Sequence, residues 1–145
     1  MSVFAFTVGS FGDILATAGL AVKIAQALYS RRDSSNECQA LMSEVGSLYE
    51  ALISSRDAVK LYKSSPLGQS LSTKIFREVD QCHLLMRLFL DNMDGYRKPL
   101  LSTVIGELWH KVWWNVWETD ELAALRTKLS ARRETLNILS NSLNL

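Results

Sequence analysis

Apolar residues recur along this chain in steps of three and four, and no run alternates with a period of two. That pattern predicts helices rather than strands. The first helix is predicted over residues 11–29, with Ser10 at its cap position and Asp13 as the acidic partner three residues on. Phe11, Leu15, Ala18, Val22, Ala25 and Tyr29 form its main apolar stripe, widened by Ile14, Ala21 and Leu28. A small or polar stripe of Gly12, Ala16, Gly19, Lys23, Gln26 and Ser30 runs beside it. After a polar turn, a second helix is predicted over residues 36–63. Cys38, Leu41, Val45, Leu48, Leu52, Ser55, Val59 and Tyr62 keep the helical step, and only Ser55 breaks the apolar identity.

Ser64-Ser65-Pro66 ends that helix and starts a third, since serine caps and proline suits the first helical position. Its stripe is Leu71, Ile75, Val79, Cys82, Met86, Phe89 and Met93. Phe76, Leu84, Leu85, Leu88 and Leu90 broaden the apolar arc, so this helix is expected at the centre, with Asp94-Gly95 as its stop. A fourth helix is predicted from Pro99 to about Trp117, with Leu101, Val104, Ile105, Leu108, Val112 and Val116 inward. Thr119 is read as the cap of a fifth, whose stripe is Leu122, Leu125, Leu129, Arg132, Leu136, Leu139 and Leu143. The expectation is an all-α fold: one antiparallel bundle of about five helices, a single domain over residues 1–145.

Composition narrows the function more than the fold. Lys and Arg total 16 against 15 Asp and Glu, so no basic excess points to nucleic acid. Only 7 Gly and 2 Pro, with 48% hydrophobic residues, exclude a disordered tail or a loop-rich secreted scaffold. Cys38 and Cys82 sit at apolar helical positions and read as buried thiols in a reducing compartment. The two histidines, His83 and His110, belong to no metal-binding spacing, and no phosphate-cradling or nucleophile-elbow motif occurs. No enzyme, cofactor or metal is expected. Cys82 and His83 are adjacent and point about 100° apart on a helix, so they read as core or boundary residues rather than a nucleophile and its base.

Three features remain as candidates. From Met1 to Val22 the only charged side chain is Asp13, and no Lys or Arg precedes the apolar stretch, so a signal peptide is not expected. Residues 1–9 form an apolar tail carrying Val3, Phe4, Phe6 and Val8, expected to be exposed or in contact with another molecule. Residues 10–30 make the first helix and its cap, read as packed at rest. A constitutive membrane span would have to include Asp13 or Lys23, each costing about 2.5–3.5 kcal/mol at the bilayer centre. In the packed bundle the side carrying both charges is expected to face water. The second feature is Trp109, Trp113 and Trp117, which share one helix face and serve either packing or a contact with lipid or protein. The third is Arg132 on an apolar stripe, which either snorkels from the edge or pairs with Asp13, Glu44 or Glu78.

The opening Ser10-Phe11-Gly12-Asp13-Ile14 and the apolar helix to Leu28 resemble the N-terminal domains of fungal NLR-like (STAND) proteins. Trp113-Trp114-Asn115-Val116-Trp117, the acidic Asp120-Glu121, the leucine-rich helix from Leu122 to Leu129 and the run Asn137-Ile138-Leu139 resemble the end of the same domains. The similarity spans essentially the whole chain. It implies a HeLo-like helical bundle with a cell-death or immune-signalling role. Activation would free the N-terminal helix to target and permeabilise membrane, moving a cytoplasmic protein to the bilayer. Implied partners are further copies of the chain, membrane lipids, and a receptor ATPase module in the same or another chain. The segment that would act comprises Val3, Phe4, Phe6, Val8, Phe11, Asp13, Ile14, Leu15, Gly19, Val22 and Lys23, with Trp109, Trp113 and Trp117 as a secondary contact face. Read without the resemblance, the residues equally allow a helical adaptor that binds protein and never meets lipid.

Overall fold

The described residues form four helices: α1 (Phe11–Ser30), α2 (Asn36–Tyr62), α3 (Pro66–Arg97) and α4 (Val104–Leu143). They come from a computed structural model that describes residues 11–30, 36–62, 64–97 and 104–144, with side chains described over 13–29, 36–62, 64–92 and 120–144. No strand occurs among the described residues. The all-α expectation holds. The helix count does not, because the expected fourth and fifth helices are one element of 40 residues. Thr119 lies inside α4 rather than capping a new helix. The chain has no Gly or Pro between Glu107 and Leu143, and Thr and Asp in a helix interior cost only tenths of a kcal/mol, about 0.7 at most. Nothing there is strong enough to break the helix. For the same reason α3 runs through Asp94-Gly95 to Arg97, since one glycine weakens a helix by about 1 kcal/mol without ending it.

The junction between α2 and α3 follows the expected chemistry. Gly68 N–H donates to Ser65 Oγ at 2.9 Å, so Ser65 is the cap and Pro66 takes the first helical position. Ser65 N–H in turn reaches the Tyr62 carbonyl at 3.4 Å. The turn folds so tightly that a Cβ on Gly68 would collide with that carbonyl, which is why glycine stands there.

Residue pairings give the helix directions. Thr17 meets His83, and Asp13, one turn earlier, is felt by Asp80, so α1 and α3 run parallel. Arg126, Arg133 and Ser140 meet Glu37, Glu44 and Ser55 in the same order, so α2 and α4 are parallel too. Consecutive helices remain antiparallel, but the bundle is not antiparallel throughout. Helix α1 packs on α2 and α3, α4 packs on the same two from the opposite side, and α1 and α4 do not touch among the described residues. The expectation that α3 is central therefore fails. It is one side of a ring, and Leu84 and Leu88 on its outer surface are exposed.

The core is a ladder of fully buried side chains: Ile14, Ile24 and Leu28 from α1, Leu41, Leu48 and Leu52 from α2, Ile75 and Met86 from α3, Leu122, Leu129 and Leu136 from α4. Each contributes about 1.5–3 kcal/mol on burial. Cys38 and Cys82 are buried in it as thiols not bridged to one another, and burial pushes the Cys82 thiol up to about 12. Ser55, the one polar position of the α2 stripe, donates to the Ala51 carbonyl at 2.7 Å and accepts from Ser140 of α4 at 2.8 Å. A buried hydroxyl is thus fully used.

Polar contacts also bind α4 to its neighbours at the core boundary. Arg132 bonds both oxygens of Glu78 on α3, at 2.9 and 3.1 Å, which settles its partner among the three acids considered. Arg132 does so from Nη1 alone, whereas Arg133 uses two nitrogens on Glu44 of α2, Nε at 2.6 Å and Nη2 at 3.3 Å, and Arg126 lies 3.3 Å from Glu37. Forked guanidinium–carboxylate bonds fix geometry as well as charge. Leu136 is fully buried while Ile138, two residues on, is 66% exposed. Leu136→Ala is expected to lower unfolding free energy by about 2–5 kcal/mol in urea titration, and Ile138→Ala to change it by less than about 0.5.

Candidate functional site

Helix α1 is apolar around most of its circumference, so hydrophobicity alone does not choose its buried side. Contact with two neighbours does. The buried residues are Ile14, Thr17, Ala18, Leu20, Ala21, Ile24 and Leu28, together with Asp13. The expected main stripe is displaced from this arc. Leu15 is 47% exposed, Val22 41% and Tyr29 77%, while Ala18, from the same stripe, is buried. Leu15, Val22 and Tyr29 step by seven, so they line one outer edge of the helix. Ala16, Gly19 and Lys23 are exposed beside them. A Cβ on Gly19 would meet nothing within 4 Å, so another surface can approach the backbone closely there.

Asp13 overturns a second expectation. Its side does not face water, because the residue is only 6% exposed. Lys23 alone of the two charges is exposed. Asp13 lies in the first turn of α1, where the helix N-terminus favours a negative charge. Even so, its Oδ2 is buried without a hydrogen-bond partner, and Oδ1 of Asp80 on α3 is in the same condition. The two carboxylates interact: burial first, and Asp13 second, raise the Asp80 carboxyl above its ordinary 3.8.

One turn along, Thr17 Oγ1 donates to the Asp13 carbonyl at 2.7 Å and lies 3.3 Å from Nδ1 of His83. With the hydroxyl proton directed at the carbonyl, Nδ1–H of His83 is the donor to Thr17. Burial, then Arg87, lower the proton affinity of His83 below the ordinary 6.5, and Asp13 pulls it back up. The interface between α1 and α3 is therefore a partly buried polar strip of Asp13, Thr17, Asp80 and His83 set beside the apolar ladder. Among the described residues no group of three or more His, Cys, Asp or Glu is arranged to hold a metal ion.

Sequence reasoning singled out Asp13, Ile14, Leu15, Gly19, Val22 and Lys23. The structure puts Asp13 and Ile14 inside and the other four outside. Sequence reasoning missed Thr17 and Asp80, and its placing of His83 at the core or its boundary agrees with the half-buried position found. The available signal was spacing, Asp13 and Thr17 four apart on one helix and Asp80 and His83 three apart on another, but only packing brings the two pairs together. Val3, Phe4, Phe6, Val8 and the tail over residues 1–9 lie outside the described residues, as do the side chains of Phe11, Trp109, Trp113 and Trp117. No helix among the described residues is long and apolar enough to cross a membrane.

A second outward surface lies between α3 and α4, where Leu85, Leu88, Phe89 and Leu125 line a shallow groove edged by Glu121 and Lys128. Comparison with protein-family models, characterised proteins and solved structures returns no match to this chain.

His83 yields a pH dependence of defined sign. Its folded-state affinity for protons is reduced, so the folded protein binds fewer protons there than the unfolded chain and loses stability as pH falls through 6.5. In melts from about pH 7.5 to about pH 5, the difference between His83→Gln and wild type should shift in favour of the variant.

Proposed function

We propose that the chain is a non-enzymatic signalling domain of HeLo-like type. It oligomerises and targets or permeabilises membrane through α1, in a cell-death or immune-signalling role, with a receptor ATPase module as upstream partner. The observation that carries this reading is the outward edge of α1, where Leu15, Val22 and Tyr29 are exposed on a helix whose other side is buried. Such an edge gives lipid or a second copy an apolar purchase before any rearrangement, and Gly19 permits close approach. Helix α1 is also the element without an ion pair to its neighbours among the described residues, whereas α4 has three. The buried Asp13 fits an oligomer better than a lone inserted helix, because an assembly can turn the charge toward a shared wet interior.

The adaptor reading draws on the groove beside Leu88, where Leu85, Phe89 and Leu125 alternate with Asn92, Glu121 and Lys128 in a mixed lining that suits an amphipathic partner helix. The two differ in where substitution acts. Full-length protein is expected to release dye from anionic vesicles. Leu15→Ser, Val22→Ser and Tyr29→Ser combined should reduce the rate by tenfold or more, since together they remove several kcal/mol of apolar transfer at about 1.5–3 per side chain. Leu15 and Val22 are about half exposed and Tyr29 more so, so the fold should be retained with a modest fall in melting temperature. Absent leakage from both proteins, with binding lost on Leu88→Asp instead, would move the activity to protein docking.

A further inference from the structure

Two outward surfaces of the bundle match each other. The first is the edge of α1, where Leu15, Val22 and Tyr29 are exposed beside Gly19 and Lys23. The second is the groove between α3 and α4, where Leu88 is exposed and Glu121 and Lys128 belong to the α4 wall. One copy cannot bring the two together. Thr17 is the α1 residue that meets His83 of α3, and Leu15 and Val22 lie about 160° and 140° round the helix from it. The edge therefore looks away from α3, while the groove opens beside α3. Helices α1 and α4 do not touch among the described residues.

Spacing relates the two surfaces. Leu15, Val22 and Tyr29 follow one another at seven residues, about 10.5 Å along the axis. Both walls of the groove have that length, from Leu85 to Asn92 on α3 and from Glu121 to Lys128 on α4. Two successive side chains of the edge thus span it, and Gly19 lets the backbones approach. Charge then fixes the register. Asp13 being buried, Lys23 is the one exposed charge of α1 among the described residues. Neither Lys23 nor Glu121 takes part in an ion pair among the described residues. Glu121 attracts Lys23, and Lys128, two turns along the same wall, repels it.

We propose that the α1 edge of one copy docks in the α3–α4 groove of the next, with Lys23 against Glu121. This names the partner of the α1 edge; it rests on the oligomerising role given to α1 above, and it needs no membrane and no departure of α1 from its own bundle. Because the two halves of the contact are different surfaces, each docked copy still offers one of them to a further copy. Such a head-to-tail contact grows into a ring or a filament instead of stopping at a dimer. One face of a 20-residue helix falls short of the roughly 20–30 residues a side of a stable interface. Association in solution therefore belongs to protein concentrations of about 0.1–1 mM.

The test is sedimentation equilibrium of the full chain over that range, without lipid. Wild type should exceed the mass of a dimer as concentration rises. Leu88→Asp, which spoils the groove, should be monomeric alone. So should Leu15→Ser, Val22→Ser and Tyr29→Ser combined, which spoil the edge. Mixed in equal amounts, the first supplies an intact edge and the second an intact groove, so dimers should form and nothing larger. The charge pair gives a milder readout that keeps the test open if either of those variants folds poorly. Lys23→Glu and Glu121→Lys should each weaken association about fivefold, and the two reversals in one chain should restore it.

Monomeric wild type at about 1 mM overturns the contact. So do dimers of Leu88→Asp alone, which would assign the α1 edge to a second α1, a mixture that stays monomeric, or a double reversal no better than the single ones. Assembly of wild type without vesicle leakage upholds the contact and rejects the membrane reading. Vesicle leakage by a wild type that stays monomeric in solution, insensitive to Leu88→Asp, does the reverse.

Discussion

The seam that α4 makes with α2 and α3 is the contact on which the rest of the structure depends. Helices α2 and α3 meet each other only sparingly, although they are consecutive in the chain. It is α4 that joins them, with Leu122, Leu129 and Leu136 inside and three arginine–glutamate pairs along the boundary. The two hydroxyls of Ser55 and Ser140 close the same seam deeper in. Apolar burial supplies the stability, and the ion pairs fix the register, Arg133 most of all, since its forked guanidinium shifted by one turn would lose both bonds to Glu44 at once.

Helix α1 completes the ring under different terms. It is held mainly by apolar side chains, with the Thr17–His83 contact to α3 and no ion pair to its neighbours among the described residues, and it carries the buried Asp13 into the interface. Non-directional burial tolerates separation and return in a way that a forked ion pair does not. Local opening in proteins begins where specific polar ties are fewest, and α1 has that character here. The proposed role of the helix as the effector element follows from this contrast between one helix held by grease and another held by geometry.

Much of this was legible in the sequence. The stripes of α2, α3 and the C-terminal half of α4 were read nearly residue for residue, because on those helices polar residues flank the apolar ones and leave a single choice of face. Ser65-Pro66 was legible because capping is local chemistry. On α1 the reading failed: Leu15, Val22 and Tyr29 compete with Ile14, Ala21 and Leu28 for the same role, and only the neighbouring helices decide between them. The break expected at Thr119 failed because a cap-like residue without Gly or Pro does not end a helix that packing supports. Asp80 and His83 became significant only when α3 was placed parallel to α1, a relation that no local pattern encodes.

The central claim is that α1 leaves a body formed by α2, α3 and α4. Distance measurement between spin labels addresses it directly, with Cys38 and Cys82 replaced by Ala and labels at exposed Gln26 of α1 and Lys128 of α4. A control pair at exposed Glu50 of α2 and Ala131 of α4 reports on the remaining body. On adding anionic vesicles, the account predicts a longer and broader distance for the first pair and an unchanged distance for the second. Vesicle-bound protein in which both distances stay as they are in solution would contradict it.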